Sequence, residues 1–102
     1  MVVKVYGLFD SVAKEFIKTF DCKNDEMADR CAHHIVRAPD FDKITGKDMI
    51  IEHVYDFDTA TGAIVNNDVR VVCSLANAMA LFEQEKLLNI SSKKEVDVNG
   101  NN

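Results

Sequence analysis

Six basic side chains fall within the first 37 residues, Lys4, Lys14, Lys18, Lys23, Arg30 and Arg37, and the rings of Tyr6, Phe16 and Phe20 are interleaved with them. Lysine and arginine neutralise phosphates and exposed rings stack on unpaired bases, so this mixture suits a nucleic-acid strand. If residues 15 to 22 form a strand, Phe16, Lys18 and Phe20 share one face of it, as Lys4 and Tyr6 do on the strand before. Arg30, His34 and Arg37 recur at spacings of four and three, along one polar edge of a helix. The competing reading is plain packing. Phenylalanines on a strand face are usually core, and a helix edge with Glu26 four residues before Arg30 can pair with itself in solvent.

Other chemistries find less support. Cys31, His33 and His34 sit close in sequence, but adjacent histidines on a helix point about 100° apart and do not converge as zinc ligands must. His53 has no partner ligand at short spacing. Asp56, Asp58 and Thr61 ahead of Gly62 hint at a calcium loop, yet Ala60, Thr61 and Asn67 occupy positions where an EF-hand needs oxygen, glycine and glutamate. A hairpin turn accounts for them better. No nucleophile signature surrounds Ser11, Ser74 or a cysteine, and the four glycines are too scattered for a phosphate loop. The expectation is a protein without catalytic residues, metal or cofactor.

The elements that must position these residues follow from pattern. Val2 to Phe9 is β-branched and aromatic and ends in turn chemistry at Asp10-Ser11, which predicts a strand, and after a turn a second strand returns from Glu15 to Cys22. Asn24 caps a helix whose stripe is Met27, Ala28, Cys31, Ala32, Ile35 and Val36, with Arg37 and Pro39 at its end. Asp40 to Lys47 reads as a loop, Met49 to Phe57 as a strand, and Asp58 to Gly62 as a turn. Ala63 to Val65 returns, Asn66 to Asp68 turns again, and Val69 to Cys73 completes a three-stranded meander. Ser74 caps a second helix, Leu75 to about Leu88, apolar nearly all round in its first two turns. Such a helix is buried deeply or packs on a second copy. The expected architecture is α+β: an antiparallel sheet of four to five strands with two helices on one face, forming a single domain over residues 1–88, followed by a polar, flexible tail over 89–102.

Charge and length set the bounds. One core is what 102 residues can enclose, and no apolar run approaches the roughly 20 residues of a membrane span. Met1 to Tyr6 lacks signal-peptide features, and three cysteines without CxxC spacing predict reduced thiols in a cytosolic protein. The net charge of −5 weighs against a dedicated nucleic-acid binder. It is unevenly spread: residues 1 to 47 balance eight basic against eight acidic side chains, and residues 48 to 102 hold four against nine. Any basic patch therefore belongs to the N-terminal half.

One family resemblance emerges from particular stretches: Val5-Tyr6-Gly7-Leu8-Phe9-Asp10-Ser11 with Ala13 and Phe16, then Phe20 with Asn24-Asp25, Ala28 and Arg30, then Asp56-Phe57-Asp58 with Thr61-Gly62, and Ser74-Leu75-Ala76. In that order they resemble the small non-structural proteins of gokushoviruses, single-stranded DNA bacteriophages of the Microviridae. The resemblance implies a DNA-binding protein of the host bacterial cytoplasm, engaged in viral DNA replication at the switch from duplex copying to single-stranded genome synthesis and packaging. Single-stranded DNA, or duplex, is then the expected partner, with Lys4, Lys14, Lys18, Lys23, Arg30 and Arg37 on phosphates and Tyr6, Phe16 or Phe20 on bases where exposed. A homodimer through the Leu75 to Leu88 helix is expected, and no membrane association. The alternative is a non-enzymatic protein-interaction module for a host factor or the viral replication protein, to which the acidic C-terminal half is suited.

Overall fold

The computed structural model of the chain describes residues 1–100, with side chains described for residues 1–90. Strand β1 (Val2–Asp10) pairs antiparallel with β2 (Glu15–Cys22) through a tight turn. Asp10 builds that turn, its carboxylate accepting from the backbone N–H of Val12 and Ala13 and its carbonyl from Lys14 N–H at 2.8 Å. Helix α1 (Asp25–Arg37) starts where the Asn24 side chain accepts from Met27 N–H at 2.9 Å, and acidic Asp25 and Glu26 suit the positive end of its dipole. The expected loop that follows contains one helical turn, α2 (Lys43–Gly46). Asp42 nucleates it by accepting from Ile44 N–H and the Thr45 hydroxyl.

Strand β3 (Met49–Asp58) returns along the far side of β1, and Gly62, at φ 76°, turns the chain into the short β4 (Ile64–Asn66). β5 (Arg70–Ser74) does not extend a meander. It pairs with β3, on the same edge as β4, so the sheet runs β2-β1-β3 with β4 and β5 end to end as one interrupted strand. Asn66 to Asp68 is thus a break in an edge strand and not a reversing turn, and a buried histidine described below explains the break. The Ser74 hydroxyl then accepts from Asn77 N–H and opens α3 (Leu75–Gly100), which runs on beyond Leu88. The expected polar tail over 89–102 falls largely outside the residues whose side chains are described.

Tyr6, Leu8 and Ile51 meet Ala28, Ala32 and Val36 of α1 and Leu75 and Ala78 of α3 in the core. The alanines recur every four residues, and their small side chains let α1 lie close to the sheet. The α+β architecture, a five-stranded antiparallel sheet with the two long helices on one side, is the one expected from pattern. Among the described residues, neither long helix covers the opposite face of the sheet.

Candidate nucleic-acid interface

Register decides where each candidate side chain goes. Leu8 pairs with Lys18, but the next pair along is Phe9 with Phe16, so Ile17 is the extra residue of a bulge. The bulge turns Phe16 to the opposite side of the sheet from Lys18 and Phe20, correcting the shared face that plain alternation predicts. Phe16 lies over Gly7, where a Cβ would come within 2.5 Å of its ring, and against Phe9 at 5.0 Å between centroids. It remains 42% exposed.

On the helix side, Tyr6 is fully buried, and Phe20 stacks on it at 6.0 Å as part of the core margin. Neither ring is placed to receive a base, so two of the three expected stacking residues are structural. The Tyr6 hydroxyl donates to Asp25 at 2.7 Å, and Arg70 donates to both oxygens of the same carboxylate at 2.8 Å. The Tyr6 bond and the Arg70 guanidinium hold the Asp25 carboxyl below its ordinary value, while burial above all, helped by Asp25, pushes the Tyr6 phenol well above its own.

The basic residues divide into three places. Arg30 and Arg37 line an open groove of about 290 Å³ between α1 and α3, together with His33, His34 and Glu85. Lys4 and Lys23 line a cleft of about 450 Å³ at the start of the chain, beside Asp21 and Asp56. Lys18 flanks a third cleft with Ile35 and Phe41, and Lys14 occupies the β1–β2 turn. Carboxylates already attend both arginines: Arg30 lies 3.8 Å from Glu26, and Arg37 pairs with Glu85 while lying over the Phe82 ring. The α1 edge predicted from the spacing of Arg30, His34 and Arg37 is therefore real as a grouping, and it is partly self-paired.

Sequence reasoning missed a second polar centre. A bulge at Val54 lets His53 and Asp56, three residues apart on β3, point to the same side. His53 is fully buried, edge-on to Tyr6; its Nε2 lies 2.7 Å from Asp56 Oδ1 and its Nδ1 2.7 Å from the Asp68 carbonyl. Both nitrogens face oxygen acceptors, so both bonds form only when each carries a hydrogen, as in imidazolium. The His53 bond, assisted by Asn66, holds the Asp56 carboxyl below its ordinary value. Because His53 needs the Asp68 carbonyl, the edge strand must leave β3 there, which is why β4 and β5 are separate.

A family model described as phage ORF5 protein matches residues 3–80. The chain belongs to the phage ORF5 protein family. No curated protein and no solved structure matches it. The region matched to the ORF5 family holds all nine candidate contact residues and the His53–Asp56 centre, whereas Glu85, the partner of Arg37, lies beyond it. No helix of this ORF5 protein, among the described residues, is long and apolar enough to cross a membrane.

Proposed function

We propose that this phage ORF5 protein is a non-structural, non-enzymatic DNA-binding protein of a gokushovirus-like phage. It acts in the host cytoplasm, in single-stranded genome synthesis or the switch from duplex replication to packaging. The observation that carries the reading is the α1–α3 groove, where two arginines and two histidines stand along one solvent-facing edge. Lys23, ahead of α1, and Lys18, on β2, lie in separate clefts and would supply further phosphate contacts. Phosphate contacts, without base stacking by Tyr6 or Phe20, give binding that depends on backbone charge more than on sequence.

Fluorescence anisotropy of labelled single-stranded and duplex oligonucleotides across a salt series tests this. Each phosphate neutralised on a single strand contributes about −0.7 to the log-log slope. The expected result is salt-dependent binding that the charge reversals Lys18→Glu and Arg30→Glu abolish. Absence of binding to either form at low salt refutes it. A second reading, a module that captures the viral replication protein or a host factor, is favoured by the pairing of Arg30 and Arg37 with carboxylates. In that case the two reversals leave partner capture intact.

A further inference from the structure

We infer that the open face of the sheet is the contact surface for a second copy of this chain, in a twofold dimer packed sheet against sheet. The face turned away from α1 and α3 carries Val3, Val5 and Phe9 of β1, Phe16 of β2 and Tyr55 and Phe57 of β3. These residues meet in register, Val3 opposite Phe57, Val5 opposite Tyr55 and Phe9 opposite Phe16, so they form one surface and not scattered side chains. At the β5 edge Val71, 61% exposed, stands opposite Glu52 and continues it.

Size points to a second copy, and charge disfavours nucleic acid. Nine residues of β1 rising about 3.4 Å each, and four strands about 4.8 Å apart, give a face of about 30 by 19 Å, or about 570 Å² in plane. Side-chain relief brings its accessible area toward the about 800 Å² that one partner contributes to a standard interface. The charged side chains paired in register on this face are carboxylates, Asp21 opposite Val5 and Glu52 opposite Gly7, with no lysine or arginine among them. These carboxylates repel a phosphate backbone, and in a twofold pair Asp21 and Glu52 of one copy must lie offset from those of the other. Two such faces, related by a twofold axis, pack about 10 Å apart with their strands within about 30° of each other, as in a β-sandwich.

The expected dimer contact on the second helix is the weaker candidate. The apolar first turns of α3 are consumed in the chain's own core, where Leu75 and Ala78 are buried and Met79 and Phe82 pack against them. Of the apolar side chains that α3 leaves exposed, Leu81, Leu87, Leu88 and Ile90, the two most exposed, Leu87 and Leu88, give a direct control. The inference goes beyond the DNA-binding reading and does not depend on it, since the basic groove lies on the other side of the sheet.

Sedimentation velocity of the full chain over a wide concentration range is the test, on the wild type, on Val71→Lys, on Phe16→Lys and on a Leu87→Lys/Leu88→Lys variant, each checked for folding by circular dichroism. The expected result is a wild-type dimer whose dissociation constant rises about tenfold or more in each sheet-face variant, as for loss of an interface anchor, and is unchanged in the α3 variant. If Phe16→Lys does not fold, Val71→Lys on the exposed edge carries the test alone. A monomeric wild type at every concentration overturns the inference. So does a dimer that survives Val71→Lys and is lost in the α3 variant. A monomer whose oligonucleotide binding is lost with Phe16→Lys overturns it in favour of a stacking platform for bases.

Discussion

Asp56→Asn removes the charge of the carboxylate that faces the buried His53 ring, without changing side-chain shape. His53 has 1% of its side chain exposed and Asp56 11%, at 2.7 Å, and breaking a buried pair of this kind by neutralising one partner costs about 3–5 kcal/mol. The Asn oxygen still accepts one hydrogen bond from His53, worth about 1 kcal/mol, so the net loss is about 2–4 kcal/mol. For a domain of this length that lowers Tm by about 10–25 °C, and it removes a large share of the about 5–10 kcal/mol a small domain possesses. Urea unfolding at neutral pH measures the loss directly. Its pH dependence supplies a second, independent sign. The Asp56 carboxyl is lowered in the folded chain by its bond to His53, so this carboxylate's contribution is fully present above the unfolded aspartate value of about 3.9 and disappears as pH falls through the lower folded value. The difference in stability between wild type and Asp56→Asn should therefore close as pH falls below about 4. A difference under about 1 kcal/mol at neutral pH, or one that persists unchanged into strong acid, would refute the ion-pair reasoning.

Two further outcomes follow from local geometry. Lys14 is the non-glycine residue that adopts a left-handed backbone, at φ 59°, so Lys14→Gly should relieve about 1 kcal/mol of strain, less about half of that for the added freedom of the unfolded chain. Calorimetry should show Tm rising by a few degrees while oligonucleotide affinity falls, and a drop in Tm would contradict the turn geometry. Burial, with the bond to Cys31, pushes the Cys22 thiol up to about 11, and burial pushes Cys73 up to about 12. At mildly alkaline pH the reactive thiolate is roughly a few hundredfold scarcer at Cys22 and a few thousandfold scarcer at Cys73 than in a free thiol of pKa about 8.5, so both should alkylate far more slowly, with rates climbing as pH rises further; labelling at the free-thiol rate would show that the two are not held as described.

Most of the elements were legible because their ends carry strong local chemistry. Asn24 and Ser74 cap the two long helices, Asp10 organises the first hairpin and Gly62 the second, and each acts within a few residues of itself. The faces were harder to read, because they depend on bulges. Strict alternation puts Phe16 with Phe20 and sets His53 against Asp56, and one extra residue at Ile17 or Val54 reverses both relations. Neither position has a glycine or proline to mark it. Consequently the expected stacking surface divides into a buried part and an open one, and the His53–Asp56 centre is invisible until the strand is folded. The meander is corrected for a different reason: Asn66 to Asp68 has turn composition, but β5 pairs with β3 and the Asp68 carbonyl there bonds the buried His53 ring.

The charge asymmetry of the two halves is also remade by packing. In the sequence the acidic surplus falls in the C-terminal half, yet α1 lies against α3, so Glu85 reaches Arg37 and Glu83 lies 3.4 Å from Lys43. These side chains are all substantially exposed, and exposed pairs contribute about 0–1 kcal/mol each. A phosphate that takes the place of Glu85 thus displaces little, and the pairing does not by itself close the groove. It does change what salt titration should count. A cation already neutralised by a neighbouring carboxylate gives up no bound anion when DNA arrives, and the freed carboxylate gathers counterions of its own. On the DNA-binding reading the salt slope should therefore correspond to fewer phosphates than the six cations of the N-terminal third, with Lys14, Lys18 and Lys23, exposed and on strand and turn, contributing more than Arg37.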